Sequence, residues 1–294
     1  MNIEKVKSPV KKTVLLILCI AYFFICQITG TIIALINKLL VDPNYEDRLI
    51  DSLENSTENT FEYIDCIMEL VPVTLLSASL LIIIPVIIYW IATKQLPYKN
   101  PFKQGLSKEI KPIIGTISLA IFLNLLINLI ISGLPQEIID NYNSQLSGIT
   151  NMPLLIAILL TGILVPITEE ITFRYYIFKI FKNKQILAII ISSISFGVVH
   201  GNVIQSTYAI LLGFIMGYMY YKTENLLYNT LFHITVNSSS LIFEHFSDLT
   251  LTIIMIISGL IVFYSGYKFL KACPRNTLKK NNTESYQPSG CADE

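Results

Sequence analysis

Long apolar runs recur along this 294-residue chain, and they limit what it can fold into more than any other feature. Eight are legible: Thr13–Ile36, Ile67–Ala92, Ile113–Leu134, Pro153–Phe178, Ile186–His200, Ser206–Tyr221, Leu226–Phe246 and Leu251–Leu270. Most have roughly the 17–25 residues that a helix needs to cross a hydrocarbon core about 30 Å thick. Only 14% of the residues are charged and the mean hydropathy is +0.59, whereas soluble domains carry about 25% charge. Inside a bilayer the backbone must satisfy its own hydrogen bonds, which helices do segment by segment. The expected fold class is therefore all-α: a polytopic transmembrane bundle of about eight helices.

Charge is segregated along the chain although the net charge is zero. Residues 1–12 hold four lysines, 94–111 five and 179–184 three, and the tail from Lys268 holds four more with Arg275. Between them, segment 41–65 has eight acids against the single Arg48, and 135–152 has Glu137 and Asp140 with no base. Basic loops stay on the cytoplasmic side, so both termini are expected inside and the number of spans even, in the cell membrane. Trp90, Tyr220 and Tyr221 fit an inner aromatic belt. The first run is too long for a signal-peptide core and no small-residue cleavage site follows it, so it reads as a retained span. The expected organisation is three spans over residues 1–152, a core over 153–246, a last span over 247–270 and a polar cytoplasmic tail over 271–294.

The five cysteines show no metal-ligand spacing, and Cys19 and Cys26 read as packing residues. The final Cys291-Ala-Asp-Glu294 has the length of a prenylation box, but Asp293 is wrong for an aliphatic slot.

One run carries charge where charge is costly. The fourth reads Pro166-Ile-Thr-Glu169-Glu170-Ile-Thr-Phe-Arg174, and each charge at a helix centre costs about 2.5–3.5 kcal/mol on insertion scales. Glu170 and Arg174 are one turn apart and can pair. Glu169 lies about 100° further round and can face a cavity. Pro166 removes a backbone hydrogen bond, so local opening is expected there.

Two of the three histidines fall in later runs, each with a partner one turn away: Phe196 with His200, and His233 with Asn237. The set supplies the parts of amide hydrolysis. A carboxylate and a histidine can activate water, and a second histidine and an amide can donate to an oxyanion. His245 has no such company and reads as interfacial. Asn124 and Asn128 read as interhelical hydrogen-bonding residues, and Gly213 with Gly217 as a packing face.

The ordered triple of EExxxR, FxxxH and HxxxN on three apolar runs resembles the CAAX-type and bacteriocin-processing intramembrane proteases, the CPBP or Abi family, which includes type II CAAX prenyl endopeptidases. The resemblance covers about residues 153–246. It implies Glu169 as the catalytic base acting with His200 on water, His233 and Asn237 as the oxyanion hole, and Glu170 and Arg174 as supports. The resemblance implies either a metalloprotease or a metal-free glutamate mechanism; the spacings, which are not HExxH, point to no cofactor, with a zinc site of Glu169, His200 and His233 as the mechanistic alternative. The implied function is an intramembrane endopeptidase whose partners are the bilayer and a membrane-associated peptide or protein, not nucleic acid. Two alternatives stand beside it: a non-catalytic member acting in bacteriocin immunity by binding a partner, and a proton-coupled transporter.

Helical rise puts Glu169 and His233 roughly 10–14 Å from the cytoplasmic edge but His200 about 20 Å from it. Convergence on one water therefore requires the fifth run to tilt or to begin at a shallower depth. The cavity is expected to open toward the cytoplasmic half.

Overall fold

The computed structural model describes residues 9–54, 65–94 and 106–272. Apart from its first two residues, the tail expected over 271–294 lies outside the described residues, as do Cys273 and Cys291. No strand occurs among the described residues. The long helices are α1 (Pro9–Val41), α3 (Val71–Thr93), α4 (Leu106–Ser132), α6 (Leu154–Ile180), α8 (Val203–Thr223) and α10 (Asp248–Ala272). These six are long and apolar enough to cross a membrane. Two shorter helices complete the eight: α7 (Gln185–Val198) and α9 (Leu226–Phe243). At 14 residues, α7 spans about 21 Å, short of a full hydrocarbon core.

The outer surface is apolar and the interior partly polar, the reverse of a soluble protein. Ile186, Leu260 and Phe263 are 73%, 64% and 75% exposed, while Glu170, Arg174, Ser192 and Asn229 are fully buried. Trp90 lies near the Lys94 end of α3. It is buried and packs edge-on against Tyr175 at 6.0 Å, inside the bundle.

Two connections expected as loops fold as amphipathic helices, α2 (Tyr45–Glu54) and α5 (Gln136–Thr150). Their apolar residues are too few for a hydropathy signal, but they cover the end of the bundle. Under α2, Tyr45 is buried and donates its hydroxyl to the Cys66 carbonyl at 2.8 Å. Arg48 beside it reaches Glu69 and Asp42, each at 2.8 Å. Its hydrogen bond holds the Glu69 carboxyl below the usual range, against the opposing effect of burial. At α5, Gln145 accepts from the Asn202 amide at 2.6 Å, and the Tyr142 and Tyr208 hydroxyls meet at 3.1 Å. This ties α5 to the turn between α7 and α8.

Small residues set the closest helix contacts. Gly213 on α8 lies against the Ser193 backbone of α7, and Gly217 against Ile189, as the packing reading of that pair requires. Asn124 on α4 donates to Ser239 on α9 at 2.7 Å and accepts from Ser240 at 3.0 Å, while Asn128 donates back to Asn124. The expected cross-helix bonding thus falls to Asn124. The turn after α7 is closed by Gly201 at φ +69, a left-handed conformation that favours glycine. Asn202 then caps α8 by accepting from the Ile204 and Gln205 amides.

A methyl group on Gly213 would sit 2.9 Å from Ser193 Cα. Gly213→Ala is expected to destabilise the bundle by about 1–3 kcal/mol, the cost of overpacking. Thermal unfolding in detergent measures this. Gly133→Ala, where the added atom meets nothing nearer than 3.5 Å, is the control and should leave the midpoint unchanged.

Candidate active site

The fourth span is not a uniform α-helix. Within α6, π-helical turns at Ile158–Leu164 and Glu170–Tyr176 flank a short α-helical stretch, Val165–Glu169. Wide π turns are rare and occur frequently at functional sites. The first runs up to Pro166. In π register the Val165 amide bonds to the Leu160 carbonyl, so the next donor, at position 166, would serve Thr161. That residue is proline and has no N–H. The Thr161 carbonyl is bonded instead by the Asn237 side-chain amide at 3.0 Å. One of the expected site residues is therefore tethered across two helices by the gap that Pro166 leaves.

The second π turn carries the charges. Glu170 and Arg174 are each 0% exposed, and Arg174 Nη1 lies 3.0 Å from Glu170 Oε1. The predicted pairing holds. The guanidinium also lies over the Phe196 ring, 4.4 Å from its centroid, and such cation–π contact gains strength when desolvated. Arg174 Nε and Nη2 and Glu170 Oε2 have no hydrogen-bond partner among the described residues, so the aromatic face is a principal neighbour of the cation.

His233 lies between the two carboxylates. Its Nδ1 is 2.9 Å from Glu170 Oε1 and its Nε2 is 3.5 Å from Glu169 Oε2. Glu169 does not pair with Arg174 but faces the imidazole. His200 stands apart from this contact. It follows the end of α7, and its Nδ1 lies 2.7 Å from the Phe196 carbonyl. A carbonyl only accepts, so Nδ1 carries the hydrogen and Nε2 is the nitrogen left for other chemistry. The Phe196 ring contacts both histidines, edge-on to His200 at 5.0 Å and to His233 at 5.3 Å. Both histidines, Phe196 and Asn237 line one cavity of about 600 Å³, within the range of ligand pockets.

Among the described residues no three His, Cys, Asp or Glu side chains are grouped as ligands for one metal ion. His245 is exposed beyond the end of α9.

Sequence reasoning passed over several cavity residues. Asn124 and Ser240 reach it from α4 and α9, and Tyr142 from α5. Burial raises the Tyr142 phenol above its usual range, outweighing the lowering effect of its bond to Tyr208. No spacing rule could have joined these residues, which come from helices far apart in sequence. The Thr161 carbonyl had one local signal, the proline five residues on.

Residues 151–239 match the family described as Type II CAAX prenyl endopeptidase Rce1-like. The chain is also similar to UPF0177 protein YxdF of Lactococcus lactis subsp. lactis (strain IL1403). The two are 31% identical over 159 residues, covering 52% of this chain and 86% of that protein. No solved structure matches.

Arg174→Ala would leave Glu170 buried without its cation. The expected loss is about 3–5 kcal/mol, read from unfolding in detergent, and a loss below about 1 kcal/mol would mean the pair is not buried as described. Asn237→Leu removes the donor to Thr161, at an expected cost of about 1–3 kcal/mol. Adding Pro166→Ala, which supplies a backbone N–H, should recover part of that stability.

Proposed function

Because the chain belongs to the CPBP/CAAX protease family, a family of intramembrane proteases, we propose that it hydrolyses a peptide bond of a membrane-associated peptide or protein with a water activated by Glu169. The observation that carries this reading is a buried acid–imidazole contact, Glu169 with His233, beside a polar cavity within an apolar bundle. Two atoms 3.5 Å apart can both bond one water at ordinary lengths of about 2.8 Å.

The water oxygen attacks the scissile carbonyl carbon while Glu169 takes a proton from it. His233 Nε2 lies beside that carboxylate, and its other nitrogen is held by Glu170. In this reading His233 serves the glutamates, a different role from the oxyanion donor that the family resemblance implies. His200 lines the same cavity from the turn after α7, apart from the Glu169–His233 contact. The carbonyl oxygen becomes an oxyanion, for which Asn237 has a second amide hydrogen beyond the one given to Thr161. Collapse of the tetrahedral intermediate breaks the C–N bond, and the proton held by Glu169 passes to the leaving amine. The products are a carboxylic acid and an amine, which the acid's proton converts to a carboxylate and an ammonium. Glu170 and Arg174 are positioning residues: they hold His233 and do not touch substrate. The chain would act in the cell membrane with both termini cytoplasmic, which the lysine distribution supports.

Glu169→Gln keeps the shape and removes the base. Cleavage products in the membrane proteome are expected to fall by about 10²–10⁴-fold relative to wild type, with unfolding unchanged. The same comparison with and without a chelator separates a glutamate mechanism from a zinc-dependent one. Unchanged products in Glu169→Gln, with the cellular phenotype retained in His200→Ala and His233→Ala, would favour a partner-binding, immunity-type member. Proton-coupled uptake into proteoliposomes that vanished in Glu169→Gln would favour a transporter.

A further inference from the structure

The cavity belongs to one end of the bundle, and that end differs in charge from the other. Its walls include Asn128 near the end of α4, Asn143 on α5, Gln205 at the start of α8, Ser240 and Glu244 toward the end of α9, and Leu251 at the start of α10. All lie where the chain turns at the α2–α5 end. At the opposite end Lys179 lies over Tyr89 and Tyr175, and Lys12 over Phe181, with Lys182, Lys184 and Lys222 at the neighbouring turns. The cavity end carries, among the described residues, only Lys38 and Arg48 as bases, and both pair with acids. Acids are plentiful there, from Asp42 and Glu46 to Glu137, Asp140, Glu244 and Asp248.

We infer that the cavity admits its substrate from the extracytoplasmic face, and that the substrate is an extended polypeptide segment whose side chains are uncharged or basic. Basic loops remain cytoplasmic, which places the α5 end outside. This reverses the cytoplasmic opening expected from the sequence, because the cavity runs from His233 toward α5 and not toward the lysines. Amides line the path at Asn128, Asn143 and Gln205. An amide both donates and accepts, which suits the backbone N–H and C=O groups of an extended chain. Histidines aside, Glu244 is the one charged side chain in the lining among the described residues, where no lysine or arginine joins it. An acidic segment would meet Glu244 on the wall and the acids Glu137, Asp140 and Asp248 at the same end, whereas a basic one meets opposite charge there.

The inference names the substrate class and the side of access for the proposed protease, and it rests on that reading. Its test reads binding apart from cleavage. The full chain carries Asn143→Cys, with Cys19, Cys26, Cys66, Cys273 and Cys291 replaced by alanine. A membrane-impermeant maleimide is applied to intact cells and to sealed inverted vesicles. Labelling is expected to be at least about tenfold faster in intact cells, and faster labelling in the vesicles would overturn the sidedness. In detergent, with Glu169→Gln added so that no peptide is consumed, a short lysine-containing peptide is expected to slow labelling about tenfold, an occupancy worth about 1.4 kcal/mol. A glutamate-containing peptide of equal length should not. Equal protection by both, or by neither, would overturn the substrate class. Protection without any cleavage by the wild-type chain would instead count against the protease reading. Thr150→Cys on the same wall serves if Asn143→Cys does not fold.

Discussion

Arg174 is the residue that the rest of the bundle must accommodate. A guanidinium with no solvent exposure requires an opposite charge and a polarisable neighbour, because desolvating an unpaired ion costs several kcal/mol. Glu170 supplies the charge from the same helix, and Phe196 supplies a ring face from α7. Phe196 in turn packs on Phe173, which packs on Phe23 of α1. The cation thus organises contacts among three helices. The same Glu170 oxygen that meets Arg174 also meets His233 of α9, so the charge that neutralises the arginine also sets the imidazole.

Departures from α-helical geometry matter as much as the charges. A straight α-helix through residues 154–180 would leave the Thr161 carbonyl with its own helical donor, Val165. The π turn moves that donor to Leu160, and Pro166 leaves Thr161 open to Asn237. Asn237 therefore has a structural and a proposed chemical use. The two are compatible because an amide nitrogen carries two hydrogens.

Family membership and geometry speak to different questions. Membership in the CPBP/CAAX proteases sets the class of reaction. The arrangement of side chains bears on which group does what within it. His233 sits against both glutamates while His200 is held by its own helix end, one aromatic ring away. His200 also lies outside helical structure. The helix stops at Val198, and His200 belongs to the turn that closes at Gly201.

The sequence by itself determined the all-α membrane class, the eight apolar helices and the Glu170–Arg174 pair. These rest on local physics: hydrocarbon thickness, helical rise and contact between residues one turn apart. It also separated Glu169 from Glu170, since adjacent residues on a helix diverge in direction. It left α2 and α5 unseen, because short amphipathic helices carry no span-length signal. Only the tertiary structure decided that Glu169 faces His233, that Trp90 is interior, and that the cavity runs to the α5 end. Each depends on the rotation and depth of one helix against another. Those are set by close contacts such as Gly213 on Ser193 and Asn124 on Ser239, whose partners lie about 20 to 115 residues apart in the chain and leave no periodic trace.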